Sequence, residues 1–178
     1  YDASRAADAQ GWVDATLARF GRIDAVVANA GIFREVTIDA GAEADLDAMW
    51  EINTRAPWRL VRAAWPALAA SGTGRVVAVA SMSGRRVKNA RMTGYAMSKF
   101  ALVALVEGIR HSGWAHGIRA TAICPGYVAI DMSADVRALP PDAMTQPTTV
   151  AELVATAIAL PNTASLPEIA VNCVLEPR

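Results

Sequence analysis

The sequence predicts an α/β protein in which a doubly wound parallel sheet lies between two layers of helices. Two observations lead to this fold class. Short strand-like runs alternate with helix-like stretches along the chain, which is the pattern of βαβ units. The strand-like runs are also apolar at nearly every position, as parallel strands buried on both faces must be. The 178 residues suit one domain, so we expect a single three-layer α/β/α domain over residues 1–178.

The strands are predicted from short runs that are rich in apolar and β-branched residues and end at small or polar residues. Such runs occupy residues 23–28, 75–80, 118–124 and 169–175. Each run has the length of an ordinary strand, and each is separated from the next by enough chain for a helical crossover. We therefore expect four strands that run in the same direction.

The helices are predicted from apolar side chains spaced by threes and fours. This spacing covers residues 4–20, 43–70 and 94–112, and a fourth helix follows residue 149. Ser4 is a candidate N-cap, and Thr149 with Glu152 has the spacing of a capping box. Pro57 and Pro66 are expected to kink or break the second helix. The Pro-rich segment 134–146 is a candidate lid.

Composition and charge exclude several classes of protein. Hydrophobic residues make up 53% and charged residues 19% of the chain, the balance of a packed globular domain. The net charge is zero, which argues against a nucleic-acid or anionic-membrane partner. No apolar run approaches the ~20 residues of a membrane span, and no metal-ligand spacing is present. Cys124 and Cys173 lie in apolar segments and are expected to be free thiols, so we expect a cytoplasmic protein.

Tyr95 and Lys99 are the strongest candidates for catalysis. They lie four residues apart on a predicted helix, so both side chains project from one face. A tyrosine with a pKa of ~10 needs a shift of roughly 3 units, or about 4 kcal/mol, to exchange protons at neutral pH. A cation about 4 Å away, at an effective dielectric constant near 20, supplies about that much. Only Lys88 and Lys99 among the 17 basic residues are lysine, which favours a specific role over a chance pairing.

Small or polar residues follow three of the predicted strands. Ser81 comes directly after the run at residues 75–80, an Asn-Ala-Gly segment at residues 29–31 follows the first strand, and Pro125 with Gly126 follows the third. The carboxyl ends of parallel strands share one rim, and ligands of open α/β sheets bind beyond that rim. We therefore expect these residues to surround one site. For Ser81 alone, a turn or helix-capping role is the alternative.

Five motifs in order resemble those of the short-chain dehydrogenases/reductases. They are Asn29-Ala30-Gly31, Asn53, Ser81 within ASMSG, Tyr95-Ala-Met-Ser-Lys99, and Pro125-Gly126 before Val128. Each motif is weak alone, but five in order over essentially the whole chain are highly specific. The resemblance implies a Rossmann-like fold, NAD or NADP as cofactor, and hydride transfer between that cofactor and a small-molecule alcohol or ketone.

The resemblance also implies a role for each matching residue. Tyr95 would exchange a proton with the substrate oxygen, and Ser81 would hydrogen-bond the same oxygen. Lys99 would bind the nicotinamide ribose and lower the pKa of Tyr95, while Asn53 would hold a water through its backbone and extend a proton relay. Asn29 to Gly31 would steady the sheet beside the cofactor. The residues that would contact the cofactor are Asp2 at the adenine ring, Asn29, Ala30, Gly31, Tyr95, Lys99, Pro125, Gly126 and Val128.

The chain departs from the family pattern in two places. A threonine that usually contacts the nicotinamide carboxamide is replaced by Ile130, which has no polar side-chain atom. The opening strand–turn–helix with its TGxxxGxG phosphate turn has no counterpart here. We therefore expect the given residues to be the C-terminal two thirds of a domain that also has an N-terminal portion. Without that portion, residues 23–28 would form an exposed apolar edge, and a polypeptide beginning at Tyr1 should not bind NAD or NADP.

Two alternatives to the enzyme remain: a catalytically silent cofactor-binding or regulatory protein of the same fold, and an inactive fragment. The intact set of Ser81, Tyr95 and Lys99 argues against a silent protein. Broad apolar faces on the helices after Glu43 and Gly94 predict a homodimer or homotetramer.

A basic segment lies between the candidate serine and the candidate tyrosine. Either it is a solvated loop or it recognises an acidic substrate, and the sequence leaves both interpretations open. Its members are Arg85, Arg86, Lys88 and Arg91.

Overall fold

One parallel sheet of four strands forms the centre of the computed structural model, which describes residues 1–134, 136–137 and 139–175. Neighbouring strands pair in the order β1-β2-β3-β4, so all their carboxyl ends lie at one rim. This architecture confirms the predicted parallel α/β fold. Positions 135 and 138 of the expected lid lie outside the described residues. The strands are β1 (Ala25–Ala28), β2 (Arg75–Val79), β3 (Arg119–Pro125) and β4 (Glu168–Val171).

The described residues form five α-helices around this sheet, four of which pack on its two faces. They are α1 (Asp8–Phe20), α2 (Glu43–Trp50), α3 (Ala56–Ala70), α4 (Thr93–Gly113) and α5 (Pro147–Ala159). Helices α1, α3 and α4 pack on one face, where Val76 of β2 is buried. Helix α5 packs on the other face, against Val77 of β2 and Ile123 of β3. Successive residues of β2 therefore enter different cores, which explains why that strand has no polar face.

Strand β1 lies at one edge of the described sheet, and only one of its faces is well covered. Val26 and Ala28 are buried in the core formed with α1 and α3. Val27 points to the opposite face and is 37% exposed. Helix α5 contacts β2 and β3 rather than β1 on that side. The carboxyl rim therefore opens into solvent near β1.

Both predicted helix caps are wrong. Helix α1 begins at Asp8, and Ser4 instead donates its N–H and O–H to the Asp2 carboxylate at 2.9 and 2.7 Å. Helix α5 begins at Pro147, two residues before Thr149, and its N-cap makes no side-chain hydrogen bond. Proline suits the first helical position because its missing N–H has no intrahelical partner there. In both cases the helix begins at a nearby residue, Asp8 or Pro147, and not beside the predicted cap.

The predicted long second helix is interrupted by a π-helical turn, Glu51–Arg55, that joins α2 to α3. The break precedes Pro57, which sits in the first turn of α3, and Pro66 is accommodated inside α3. Because Pro57 has no N–H, the carbonyl of Asn53 four residues earlier lacks its α-helical donor. Turns of this kind insert an extra residue and often occur at functional sites.

Candidate active site

A cavity of about 1140 Å³ opens at the carboxyl rim of the sheet. Small-molecule pockets commonly enclose roughly 300–1,000 Å³, so this one has room for more than one small molecule. Its walls come from the ends of β1, β2 and β3 and from the start of α4. The predicted site residues that line it are Asn29, Ala30, Gly31, Ser81, Tyr95, Lys99, Pro125, Gly126 and Val128.

Tyr95 lies in the first turn of α4 and is only 8% exposed. Burial raises the pKa of its hydroxyl, and a hydrogen bond from Ser81 opposes part of that rise. Ser81 caps the short 3-10 turn Met82–Gly84 and accepts the N–H of Ser83 at 3.0 Å. The structure thus brings Ser81 to Tyr95, while Ser83 supplies the backbone group that orients the Ser81 hydroxyl.

Lys99 is buried even more deeply than the tyrosine, at 3% exposure. Its Nζ donates to the carbonyl of Val79 at 3.0 Å and lies 5.7 Å from the centre of the Tyr95 ring. Burial lowers the pKa of the Lys99 amine to about 8. The expectation that Lys99 lowers the pKa of Tyr95 is therefore not met in this structure. The ammonium is held back at Val79, and desolvation dominates both groups.

Gly31 leaves a gap beside two of the buried polar groups. A Cβ at this position would lie 3.3 Å from Lys99 Nζ and 3.4 Å from Asn53 Oδ1, which is tight. Glycine keeps the backbone surface open for the close approach of a ligand. Lys99 uses one of its three N–H donors in the hydrogen bond to the Val79 carbonyl, so two remain for other acceptors. These donors and the open surface fit the hydroxyl groups of a ribose.

The third wall of the cavity follows β3. The Gly126 N–H donates to Val171 at 2.8 Å, and a Cβ on Gly126 would clash with Asn172. Ile130 is 47% exposed in the cavity wall. The Ser133 hydroxyl donates to the Ile130 carbonyl at 2.8 Å and also to the carbonyl of Val128. This wall is therefore fixed by backbone hydrogen bonds.

Asn53 is fully buried and is not part of the cavity wall. Its side chain accepts the N–H of Ile32 at 2.8 Å and donates to the Ile32 carbonyl at 2.9 Å and to Ser98 Oγ at 3.0 Å. Ser98 in turn donates to the Tyr95 carbonyl at 2.7 Å. The side chain thus ties the π-helical turn to the helix that carries Tyr95. Sequence reasoning missed Ser98, although a serine on the buried face of α4 was a visible signal.

Asp2 lies apart from the large cavity. Its carboxylate accepts two hydrogen bonds from Ser4, and these lower its pKa. The neighbouring Tyr1 and Ala3 line a small pocket of about 110 Å³, which shares Val27, Asn29 and Ala30 with the large cavity. The two spaces therefore adjoin along the end of β1.

The model of the short chain dehydrogenase family matches residues 1–140. The chain belongs to this family. It is 42% identical over 170 residues to agropine synthesis reductase of Rhizobium rhizogenes. This alignment covers 93% of this chain and 38% of that protein. It is 35% identical over 116 residues to the oxidoreductase UcpA of Escherichia coli strain K12, covering 65% of this chain and 44% of UcpA. The chain thus spans about 40% of the length of these relatives.

Solved structures of the family superpose closely on this fold. The alcohol dehydrogenase of Thermococcus sibiricus in complex with 5-hydroxy-NADP matches with a TM-score of 0.87 and 26% identity, covering 99% of this chain and 74% of that one. A short chain dehydrogenase of Burkholderia cenocepacia in complex with NADP matches with a TM-score of 0.86 and 28% identity, covering 97% and 73%. These similarities confirm the family fold that the motifs indicated.

Two other features of the described residues concern ligands and membranes. None of their helices combines the length and the apolar character needed to cross a bilayer. Across residues 1–134, 136–137 and 139–175, no group of three or more His, Cys, Asp or Glu side chains is arranged to hold a metal ion. Cys124 and Cys173 are both free thiols, and Cys124 is buried as expected.

Proposed function

We propose that the full-length protein is an oxidoreductase that interconverts an alcohol and a carbonyl compound, with NAD or NADP as cofactor. The observation that carries this proposal is the arrangement of Ser81, Tyr95 and Lys99, all three lining one large cavity at the rim of the sheet. The chain's family membership and the NADP-type cofactors of similar structures support it. When bound, the reduced cofactor would supply a hydride to the carbonyl compound, and the oxidised cofactor would accept one from the alcohol.

Tyr95 exchanges the proton with the substrate oxygen in this proposal. Its raised pKa keeps the hydroxyl protonated at neutral pH, which suits it to donate a proton to a carbonyl that is being reduced. The Ser81 hydroxyl, fixed by the Ser83 amide, is placed to hold the same oxygen. Lys99 keeps two N–H donors for the ribose of the cofactor.

Asn53 acts through its backbone in the proposed proton relay. Its side chain is fully engaged with Ile32 and Ser98, so it has no role in the cavity itself. Pro57 cannot provide the usual α-helical donor to the Asn53 carbonyl, and in this proposal that oxygen accepts a hydrogen bond from a water. A water held there near Lys99 would pass protons between solvent and the buried tyrosine.

The remaining wall residues would bind the cofactor along the rim. In this proposal the cofactor extends along the rim from the residues at the end of β1 to those at the end of β3. Asp2, beside the small pocket, would meet the adenine ring at the outer end. The residues proposed to contact the cofactor between these points are Asn29, Ala30, Gly31, Pro125, Gly126 and Val128. We also propose a cytoplasmic location, which the two free cysteines support.

We further propose that the protein is a homodimer or homotetramer that associates through α3 and α4. Trp58 of α3 is 46% exposed, and Met97 and Phe100 of α4 are 45% and 44% exposed. Large apolar side chains exposed on adjacent helices are typical of an interface between subunits. Light scattering at micromolar concentration should give a dimer or tetramer, and Phe100→Glu should shift it toward monomer. A monomeric wild-type protein would contradict this proposal.

Hydride transfer can be tested directly on the full-length protein. Reduced NAD and NADP carrying deuterium at C4 of the nicotinamide are incubated with a panel of aldehydes and ketones, and the products are analysed by mass spectrometry. We expect one deuterium on the carbinol carbon of at least one product. If calorimetry shows cofactor binding but no carbonyl compound acquires deuterium, the protein is a silent cofactor-binding member of the family and the proposed activity is wrong.

A further inference from the structure

A second lysine–tyrosine pair lies in the wall of the same cavity, away from Tyr95 and Lys99. Lys88 and Tyr127 both line the cavity, although 39 residues separate them in the chain. The Lys88 ammonium donates a hydrogen bond to the Tyr127 hydroxyl and lies 4.3 Å from the centre of the Tyr127 ring. Lys88 is exposed, so its charge faces the solvent-filled mouth of the cavity.

The charge of Lys88 is not balanced by a protein carboxylate within the described part of the chain. Its hydrogen bond and its ring contact both go to a neutral tyrosine. The neighbouring basic residues differ in this respect. Arg91 pairs with Glu35 at 3.3 Å, and Arg85 pairs with Glu168 at 2.7 Å and does not line the cavity.

The Tyr127 hydroxyl adds a second donor beside the ammonium. Because this oxygen accepts a hydrogen bond from Lys88, its own O–H is left to donate to another group. An ammonium and a neighbouring hydroxyl in one cavity wall can together donate to the two oxygens of a carboxylate. Arg86 also lines the cavity, and Glu35 is the one carboxylate among the described lining residues.

The pair also lies away from the proposed adenine end of the cofactor. The small pocket beside Asp2 is at the end of β1, whereas Tyr127 follows β3, two strands further along the sheet. Strands are spaced about 4.8 Å apart, so roughly 10 Å of rim separates the two strand ends. The positive charge therefore lies at the end of the cavity opposite the proposed adenine end, where the substrate would meet the nicotinamide ring in the proposed function.

From these observations we infer that the substrate of this enzyme carries a carboxylate, which Lys88 and Tyr127 bind at the mouth of the cavity. The inference rests on the proposed oxidoreductase activity and adds to it the class of substrate. It also decides between the two interpretations of the basic segment: Lys88 recognises an acidic substrate, while Arg85 belongs to the solvated surface.

Matched substrates test this inference on the full-length enzyme with reduced cofactor. Oxo-carboxylic acids of increasing chain length are compared with their uncharged primary amides. For at least one chain length, we expect kcat/KM of the acid to exceed that of the amide by about 10-fold, the scale of one charge-assisted hydrogen bond. Lys88→Met should reduce this acid-to-amide ratio by about 10-fold, mainly through KM, and Lys88→Arg should retain most of it.

The control variant is Arg85→Met, which removes a positive charge from the same segment but outside the cavity wall. It should leave the acid-to-amide ratio unchanged. Equal use of acids and amides by the wild type, or equal losses on both in Lys88→Met, would overturn the inference. So would a Lys88→Met variant whose main defect is weaker cofactor binding by calorimetry, since the charge would then serve a phosphate of the cofactor.

Failure of the proposed activity gives a different result from failure of this inference. If no carbonyl compound is reduced, the activity is wrong, and calorimetry of the same acids and amides with the cofactor-loaded protein decides the binding question. Tighter binding of an acid that is lost in Lys88→Met and weakened in Tyr127→Phe supports the anion site. Equal or undetectable binding of acids and amides overturns it.

Discussion

The cavity contains two lysine–tyrosine pairs of the same composition in opposite surroundings. Tyr95 and Lys99 form the inner pair, which is almost fully buried. Tyr127 and Lys88 form the outer pair, in which the lysine is exposed. Burial raises the pKa of Tyr95 and lowers that of Lys99 to about 8, so in both groups burial disfavours the charged form. The outer lysine keeps contact with solvent, which suits it to attract a charged ligand.

The comparison shows that residue type alone does not assign a role. Both lysines belong to a chain that otherwise uses arginine for its basic residues. The inner one is enclosed because the ends of β1 and β2 and the first turns of α4 meet around it. The outer one lies on the segment between β2 and α4, where Tyr127, which follows β3, contacts it. Substitutions in the two pairs should therefore affect different properties of the protein, and by different amounts.

The largest expected effect separates the two tyrosines. Tyr95→Phe should reduce kcat by about 10² to 10⁴-fold, the usual loss when a general acid–base group is removed. Tyr127→Phe keeps the ring in the same cavity and should leave kcat for an uncharged carbonyl substrate within about threefold, because it removes only a group that contacts the substrate's charge. Steady-state kinetics of both variants measure this. Comparable loss of kcat in both variants would contradict the assignment.

The second effect concerns the inner lysine and is seen in stability. The buried Lys99 has a pKa of about 8, whereas in the unfolded chain it is near 10.5. Below pH 8 the lysine is charged in both states, and burying it costs about 3 kcal/mol at 1.36 kcal/mol per pKa unit. Lys99→Met should therefore unfold at higher urea concentration than the wild type at pH 7.

The same substitution should lose its advantage at high pH. Between pH 8 and 10.5 the unfolded chain binds the proton and the folded chain does not, so the wild type gains stability as pH rises. The difference between Lys99→Met and wild type in urea unfolding, without cofactor, should shrink from pH 7 to pH 9.5. A constant difference across this range would refute the shifted pKa.

A smaller effect separates the two serines of the inner site. Ser81→Ala should lower kcat by about 10- to 100-fold, since it removes one hydrogen bond to an oxygen that gains charge during the reaction. Ser83→Ala removes a hydroxyl but keeps the backbone N–H that orients Ser81, so activity should fall by less than about threefold. Steady-state kinetics of the two variants, measured in parallel, show which substitution lowers kcat more. A larger loss in Ser83→Ala would show that Ser83 is the catalytic serine.

The smallest effect tests the open surface beside the inner pair. Gly31→Ala places a Cβ 3.3 Å from Lys99 Nζ, so cofactor Kd should rise by about fivefold, or about 1 kcal/mol. Gly108→Ala is the control, because a Cβ there meets nothing within 4 Å and lies on the same helix as Lys99. Calorimetric titration with cofactor compares the two. Unchanged affinity in Gly31→Ala would show that the cofactor does not approach this glycine.

The fold class and the inner residues could be predicted from local patterns in the sequence. Apolar runs and helical spacing predicted the four parallel strands and their crossover helices, because buried parallel strands must be apolar on both faces. The spacing of Tyr95 and Lys99 placed both on one helix face, and the strand ends placed Ser81 at the same rim. The helix starts were predicted poorly. Helices α1 and α5 begin at Asp8 and Pro147, and residue propensities alone did not favour these starts over the nearby candidate caps.

Only the tertiary structure decided how strongly each group is desolvated. The sequence predicted that Lys99 would lower the pKa of Tyr95, but in the folded chain burial is the largest cause of the pKa shift of each group. It also could not predict the contact between Lys88 and Tyr127, since no local pattern links residues 39 positions apart. Periodicity reports which face of an element a residue occupies. The electrostatic environment depends on what long-range packing brings against that face.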